Sequence, residues 1–330
     1  MVVYIHAYNL EIFSIRNGGG TESVCYYIER IFFYINLVAV PGFFILSGYL
    51  FFITLRKDNI QEKLRRRFHS LVIPYIVWNT LFIVYWWILC SVPVIEKYIT
   101  TKRSFDTISI VKYLTIAPVN APLWFVRNLC VVFATTPLIW LIIRKKCWGG
   151  IFLSVLIAVC IGIKADEFHL IYDICLFSMG GYLSYWFNEG FIKPSKIKET
   201  ISLLFIAVYL LLCIKNPEVD VNTLGLSIVI KVCLFFSFWY AIDLMKFQKN
   251  TILADYRTFI YFGHSLFLES IEKLILITAG MSSVVALLDY ILAPVICILV
   301  MIGLGSYIRK HIPFMWMMLC GDKYRRFHDA

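Results

Sequence analysis

Long apolar runs separated by short basic loops constrain the fold of this 330-residue chain more than any other feature. Only 16% of the residues are charged, whereas a soluble domain carries roughly a quarter. Most of the surface must therefore face lipid, where helices satisfy every backbone polar group within one segment. The runs that cross a bilayer, or nearly do so, are 32–55, 71–91, 123–143, 149–163, 169–187, 200–214, 224–245, 258–278 and 284–306.

The apolar stretch at residues 1–15 is shorter than the roughly 20 residues that a spanning helix needs. It also lacks the basic region and the cleavage site of a signal peptide. We interpret it as the end of a first span that begins before Met1. The sequence thus predicts an all-α, polytopic transmembrane helix bundle of about ten spans, the first one truncated at its N-terminus. We expect residues 1–330 to form one domain.

Lys and Arg are divided unequally between alternate loops. One set of loops holds 20 of them and the opposite set holds 8. Because cytoplasmic loops are enriched in Lys and Arg, the richer set and the C-terminus are predicted to be cytoplasmic. This bias also accounts for the net charge of +10, so we expect no nucleic-acid partner. The richer loops are 56–67, 144–146, 193–198, 246–257 and 309–326.

The longest loop of the opposite set, 92–121, has a mildly amphipathic part at 105–116, which we expect to lie on the membrane surface. The ten cysteines include no C-x-x-C pair, so neither a disulfide framework nor a zinc site is predicted. The chain also lacks the phosphate-loop, dinucleotide-binding and H-E-x-x-H motifs. A nucleotide-driven motor, a dinucleotide enzyme and a zinc protease are therefore disfavoured, and no metal ligands are predicted.

Three residues within the first two spans are candidate site residues. His6 should face the bundle interior, where an imidazole suits general-base chemistry. The alternative is a packed histidine bonded to a backbone carbonyl. Ser47 and Gly48, near the cytoplasmic end of the second span, either allow two helices to approach closely or let the chain of a ligand pass near the backbone.

A run of three arginines, Arg65, Arg66 and Arg67, precedes the third span. It is either a positively charged topology anchor or a phosphate-binding cluster, since guanidinium groups bind phosphate in a bidentate manner. Pro74 follows and should bend or break the helix. Cytoplasmic cations beside a broken helix suit a nucleotide-like donor.

On the opposite side, Trp124 is either part of an interfacial aromatic belt or a platform for a sugar. Arg127 lies about one turn into its span and should have a partner. Glu29 is on the same side, although a solvated loop charge paired with Arg30 is the simpler interpretation. Further ionisable residues within the runs are Asp173, Lys231, Asp243, His264, Glu269, Glu272 and Asp289.

Together these residues resemble the acyltransferase-3 family of bacterial integral-membrane acyltransferases. The resemblance rests on VVYIH at 2–6, FFILSGY at 43–49 and the arginine run leading to Pro74-Tyr75. PLWF at 122–125 and IYFGH at 260–264 are similar to later signatures of the family. The order of these motifs extends the likeness along essentially the whole chain.

The resemblance implies O-acylation, usually O-acetylation, of an extracytoplasmic or lipid-linked carbohydrate, with acetyl-CoA as the usual cytoplasmic donor. It implies a bacterial inner (cytoplasmic) membrane protein. Many relatives carry an appended hydrolase-like domain, for which we find no room in this chain, so we expect a stand-alone transferase. His6 matches the family's first-span histidine. The arginine that the family places before this histidine would precede Met1, so either the start codon is misplaced or this copy is truncated and inactive.

The resulting hypothesis places the phosphates of CoA near Arg65, Arg66 and Arg67. The thioester arm passes Ser47 and Gly48 towards His6, which activates a sugar hydroxyl. Trp124, Arg127 and Glu29 would contact the acceptor. A covalent acyl-histidine route, a transporter or flippase without chemistry, and a catalytically inactive assembly partner are the alternatives.

Overall fold

The structure is a computed structural model of the chain. It describes every residue except 9–23, 57, 93–102, 167–168, 188–192, 194, 216–225, 245–250, 281 and 322–330. Within the described ranges the chain is all-helical and contains no strand, as predicted. In chain order the helices are α1 Val2–His6, α2 Val24–Asn36, α3 Ala39–Phe52, α4 Ile60–Ser91, α5 Thr107–Thr115, α6 Leu123–Ile143, α7 Lys146–Gly162, α8 Leu170–Trp186, α9 Lys196–Lys215, α10 Ser227–Leu244, α11 Thr251–Ala279, α12 Ser283–His311 and α13 Pro313–Cys320.

Each of the nine long apolar runs coincides largely with helix, but the count of ten spans is not confirmed. In the described part of the chain, five segments are long and apolar enough to cross a membrane, and the helices Lys146–Gly162 and Ser227–Ile242 are apolar but shorter. Helices α8 and α11 are in neither group. Helix α8, with 17 residues, is too short for the first group and includes Asp173, and α11 carries several charged residues. The five long segments are Tyr27–Phe52, Ile60–Ser91, Leu123–Ile143, Lys196–Lys215 and Val284–His311.

The chain divides into two compact units. The first unit comprises Met1–Ile60, Ala134–Thr251 and Leu268–Ile296, and the second comprises Gln61–Phe133, Ile252–Phe267 and Cys297–Ala330. The prediction of a single domain over residues 1–330 stays a prediction.

In the first unit, α3 packs most closely on α8. Glycines on both helices make this approach possible, because a Cβ added at Gly48 would overlap the carbonyl oxygen of Phe177, and one added at Gly180 would overlap that of Ile45. Phe51 and Phe52 surround the contact and are fully buried. Close packing through small residues is the usual way in which helices associate in lipid.

In the second unit, an aromatic core joins α4 to α11 and α13. The ring of Trp78 is stacked on Phe262, with centroids 6.3 Å apart, and Phe259 contacts it edge-on. The indole N–H of Trp78 donates a 2.9 Å hydrogen bond to the carbonyl oxygen of Leu319. Residues 313–320, predicted to belong to a basic tail, instead form α13, which is anchored on this core.

The helix break expected at Pro74 is absent, since α4 continues from Ile60 to Ser91 with Pro74 inside it. Proline removes one backbone hydrogen bond, but the surrounding helices of membrane proteins often compensate for that loss. Pro74 and its neighbour Tyr75 are buried in such packing. The cation cluster at 65–67 therefore lies on a continuous helix.

The amphipathic helix predicted at 105–116 is confirmed as α5. Asp106 caps it, because its carboxylate accepts hydrogen bonds from the backbone N–H groups of Ile108 and Ser109 at 3.2 and 3.3 Å. The Ser104 hydroxyl donates a further bond at 2.5 Å. The bond from Ser104, followed by those from Ser109, lowers the pKa of Asp106 from 3.8 to about 2.

We expect Asp106→Ala to fray the first turn of α5, whereas Asp106→Asn should retain most of the cap. Folding lowers the pKa of Asp106, so its ionised carboxylate stabilises the folded state. This stabilisation is complete above the unfolded pKa of 3.8 and is lost as the pH falls through about 2. Amide hydrogen exchange at Ile108 and Ser109 near pH 6 measures the difference. Protection at the wild-type level in the alanine variant would show that the cap is dispensable.

Candidate functional site

A groove runs between the N-terminal part of α4 and α13, entirely within the second unit. Its volume is about 480 Å³. We call it the α4–α13 groove. Its lining residues are Glu62, Arg65, Arg66, His69, Ile73, Phe314, Met317, Met318 and Gly321.

One wall of the groove is cationic. Glu62, Arg66 and His69 are spaced at four and three residues along α4, so they share one helix face, with Arg65 beside them. The side chains of Arg65, Arg66 and His69 are exposed. Arg66 forms an ion pair with Glu62, one turn earlier. Exposed pairs of this kind contribute little stability, about 0.3–0.5 kcal/mol, so a phosphate can replace the carboxylate.

The other wall is apolar and comes from α13. Phe314, Met317, Met318 and Gly321 follow the spacing of a single helix face. The opposite face carries Trp316, Leu319 and Cys320, which are buried. Helix α13 thus separates an anchoring face from a groove face.

Gly321 sets the distance between the two walls. Its φ of 66° places it in the left-handed region, where glycine commonly ends a helix. An added Cβ would lie 2.7 Å from both the Cα and the carbonyl oxygen of Ser70. Glycine therefore allows the end of α13 to approach the backbone of α4 closely.

The third arginine of the run points away from the groove lining. The guanidinium carbon of Arg67 lies 5.4 Å from the ring centroid of Phe133, and its side chain is half-buried. Consecutive residues on a helix are about 100° apart, so a run of three cannot share one direction. The structure brings Arg65 and Arg66 together on the groove and adds His69, which the sequence did not single out.

His6 ends the short helix α1 in the first unit. Val3 and Ala7 occupy the buried side of this helix, while the side chain of His6 is exposed rather than facing the interior as expected. Tyr4 anchors α1, because its ring meets that of Tyr290 edge-on at 5.7 Å and its hydroxyl lies 3.4 Å from the carbonyl oxygen of Ile291. The helix is therefore held through its tyrosine, and the imidazole remains accessible.

The positions of Ser47 and Gly48 favour helix packing. The space that a ligand would need beside Gly48 is occupied by the backbone of α8. Ser47 is half-buried. A small apolar pocket of about 40 Å³ opens beside α3 within the first unit, and neither Ser47 nor Gly48 lines it.

Glu29 lies within α2, not in the loop that the sequence suggested. Its side chain is 1% exposed, so the interpretation as a solvated charge is wrong. Tyr290 and Glu272, in the same unit, are close enough to interact with it electrostatically. The two charged residues at 29–30 suggested a loop, although the other residues of α2 are mostly apolar.

In the second unit, Arg127 has local partners. It donates hydrogen bonds to the carbonyl oxygen of Ile116 and, from Nε at 2.9 Å, to the side-chain oxygen of Asn128. Arg127 therefore ties the start of α6 to the end of α5. Trp124, half-buried, contacts the ring of Phe125 at 6.3 Å.

A buried polar network elsewhere in the second unit involves His264. Its Nδ1 lies 2.7 Å from the carbonyl oxygen of Tyr261. Since a carbonyl only accepts, Nδ1 carries a hydrogen in this contact. The amide of Asn120 donates to the carbonyl oxygen of Phe262 and accepts from the hydroxyl of Ser265 at 2.6 Å. The signature at 260–264 thus fastens α11 to the segment before α6.

Comparison with known families gives one match. Residues 1–310 match the family model Acyl_transf_3, described as an acyltransferase domain. No curated protein and no solved structure matches the chain. The matched residues include helices α3 and α8 of the first unit and the cationic wall of the groove. Helix α13 follows the last matched residue. The chain belongs to the acyltransferase-3 family and is a multi-pass membrane acyltransferase.

Proposed function

We propose that the protein transfers an acetyl group from cytoplasmic acetyl-CoA to a hydroxyl of an envelope, exopolysaccharide or lipid-linked sugar. The site is in the cytoplasmic membrane of a bacterium. The observation that carries the proposal is the α4–α13 groove, because its cationic wall suits the phosphates of CoA.

The charge and size of the groove support this assignment. Two guanidinium groups, an imidazole and the Glu62 carboxylate line one wall, and guanidinium is the group that best matches phosphate geometry. A volume of about 480 Å³ falls within the range of roughly 300–1,000 Å³ that is typical of small-molecule sites.

The location of the groove supports a cytoplasmic donor. Arg65 and Arg66 belong to the basic loop at 56–67, and α13 follows the basic end of α12, where Arg309, Lys310 and His311 lie. Both loops are in the set richer in Lys and Arg, which is the signature of the cytoplasmic side. The C-terminus would then be cytoplasmic as well.

In the proposed reaction, His6 removes the proton from a sugar hydroxyl, and the oxygen attacks the thioester carbonyl carbon. The tetrahedral intermediate then collapses, the carbon–sulfur bond breaks, and the CoA thiolate takes the proton from the imidazolium. This is general-base catalysis followed by general-acid catalysis at one residue. A covalent acyl-histidine intermediate is the alternative route.

The remaining predicted contacts belong to this proposal. Ser47 would lie along the path of the thioester arm, while the packing of Gly48 makes its contribution structural. Trp124, Arg127 and Glu29 would act on the acceptor side. The hydrogen bonds of Arg127 with Ile116 and Asn128 support a positioning role for that arginine rather than a direct contact with sugar.

Arg65→Ala and Arg66→Ala test the donor site. Each variant should bind acetyl-CoA about 10- to 100-fold more weakly, since a hydrogen bond to a charged group contributes about 1.5–3 kcal/mol. The dependence of affinity on salt should also become less steep. Arg67→Ala should have a smaller effect because Arg67 lies over Phe133. Titration of the detergent-solubilised protein with acetyl-CoA measures all three variants.

Lys145→Ala is the matched control, because Lys145 is an exposed cation in another loop of the basic set. If Arg65→Ala and Arg66→Ala bind acetyl-CoA as tightly as the wild type, the arginine run serves only as a topology anchor. A transporter would be indicated instead if the purified wild-type protein neither transfers the acetyl group nor slowly hydrolyses acetyl-CoA.

A further inference from the structure

We propose that α13 binds the adenine ring of the donor and makes the enzyme selective for CoA thioesters over donors that present only a phosphopantetheine arm. This inference rests on the proposed role of the α4–α13 groove as the donor site. It assigns a binding function to Phe314, Met317 and Met318, on the wall opposite the arginines.

The two walls differ in a way that matches one end of CoA. Arg65, Arg66 and His69 face an apolar surface of one phenylalanine and two methionines. The adenosine 3′,5′-bisphosphate end of CoA combines a flat ring with several phosphate charges. Aromatic side chains stack on nucleobases, and methionine sulfur makes favourable contacts with aromatic rings.

The groove face of α13 is not required to hold the helix in place. Trp316 packs against Tyr256 at 5.5 Å and against Phe259 at 5.3 Å, and the Leu319 carbonyl accepts the bond from Trp78. These contacts all lie on the other face. Phe314, by contrast, is 67% exposed. Its ring is therefore available for a ligand at little cost to folding.

A phospholipid also combines phosphate with apolar groups, so it shares part of this chemistry. The α4 wall carries two guanidinium groups, an imidazole and the Glu62 carboxylate, so charge alone does not separate the two ligands. A phospholipid headgroup has no flat aromatic ring, however, whereas the opposite wall presents the ring of Phe314 and two methionine side chains, which suit a nucleobase. We therefore commit to the adenine nucleotide as the occupant.

The family match covers one wall of the groove and not the other. It ends at residue 310, whereas α13 begins at Pro313. The cationic wall lies within the acyltransferase domain, and the apolar wall is added by residues after it.

The test compares three competitors of acetyl-CoA binding: CoA, adenosine 3′,5′-bisphosphate and 4′-phosphopantetheine. In the full chain, Phe314→Ala, Met317→Ala and Met318→Ala should each weaken binding of CoA and of adenosine bisphosphate, with about 5- to 100-fold expected for Phe314→Ala. Binding of 4′-phosphopantetheine should be unchanged. Phe314→Tyr should retain the wild-type affinity, because it keeps the ring.

Met315→Ala is the matched control. Met315 lies on the same helix and is partly exposed but does not line the groove, so all three affinities should stay at the wild-type level. Equal weakening of all three competitors by the α13 variants would overturn the proposal, since α13 would then only support the shape of the groove.

The Arg66→Ala variant separates this inference from the proposed function. If Arg66→Ala weakens CoA binding and the α13 variants do not, the adenine assignment is wrong and the donor site survives. If neither set matters, both are wrong. Displacement of adenosine bisphosphate by phosphatidylglycerol vesicles, lost in Phe314→Ala, would identify the groove as a lipid site and also overturn the proposal.

Discussion

Replacing His6 with alanine is expected to lower the rate of acyl transfer by about 10²–10⁴-fold while leaving the affinity for acetyl-CoA unchanged. The loss follows from removing the group that accepts the hydroxyl proton, because a neutral sugar hydroxyl is a poor nucleophile. Donor affinity should be retained because the groove that we assign to the phosphates contains other residues, Arg65, Arg66 and His69.

The structure makes this a clean substitution. Tyr4 supplies the anchoring contacts of α1, and Val3 and Ala7 fill its buried side. The side chain of His6 is exposed, so its removal creates no cavity. We therefore expect the variant to fold and insert like the wild type.

The measurement is single-turnover transfer from labelled acetyl-CoA to the acceptor, together with the dissociation constant of the donor. His6→Gln distinguishes proton transfer from simple hydrogen bonding, since glutamine bonds but is not a base; it should be as slow as alanine. His169→Ala is the control, because His169 is an exposed histidine of the same unit whose imidazole contacts the nearby Asp166 carboxylate. Transfer at the wild-type rate in His6→Ala would remove His6 from the chemistry.

Replacing Gly180 with valine is expected to prevent the first unit from folding. An added Cβ at Gly180 would overlap the carbonyl oxygen of Ile45, and one at Gly48 would overlap that of Phe177. Both obstacles are backbone atoms of the facing helix, so no side-chain rotation relieves them. Helices α3 and α8 must instead move apart, which also loosens the packing of Phe51 and Phe52.

Alanine at either glycine should already lower the free energy of unfolding by about 1–3 kcal/mol, the usual cost of overpacking. Valine at Gly180 adds two further methyl groups to the same contact. The thermal unfolding midpoint in detergent and the yield of inserted protein report both effects.

Gly303→Ala is the control, because an added Cβ there meets nothing within 4 Å. Alanine in the interior of a helix is favoured over glycine by about 1 kcal/mol, so this variant should be as stable as the wild type or more stable. If Gly180→Val unfolds at the same temperature as Gly303→Ala, the glycines do not set the helix spacing. Equal losses at Gly48 and Gly180 would assign Gly48 to packing, since only Gly48 was predicted to lie near the donor.

Some elements were predictable because their cause is local. An apolar run of spanning length must be helical in lipid, whatever it packs against, and the runs at 71–91 and 123–143 are helical as expected. The amphipathic pattern at 105–116 likewise predicts α5 by itself. Three local motifs were also enough to identify the family, which the match over residues 1–310 shows.

Other elements failed for identifiable reasons. Glu29 and Arg30 were assigned to a loop because they are charged, although Glu29 is buried within a helix. Pro74 was expected to bend or break its helix, and α4 runs through it without a break. The count of ten spans assumed that every apolar run crosses alone. Helix α8, with Asp173 fully buried, depends on its packing against α3.

The sequence by itself determined that most of the chain faces lipid, that it is helical and to which family it belongs. These properties depend on composition, on the length of the apolar runs and on the order of short motifs. Only the tertiary structure decided which side chains share a surface. It directed Arg65 and Arg66 to one groove and Arg67 to Phe133, and it placed Phe314 and Met317 opposite the arginines. Residues more than 240 positions apart meet there because helix rotation and the anchoring of α13 by Trp316 orient the two faces, and neither is encoded in any local pattern.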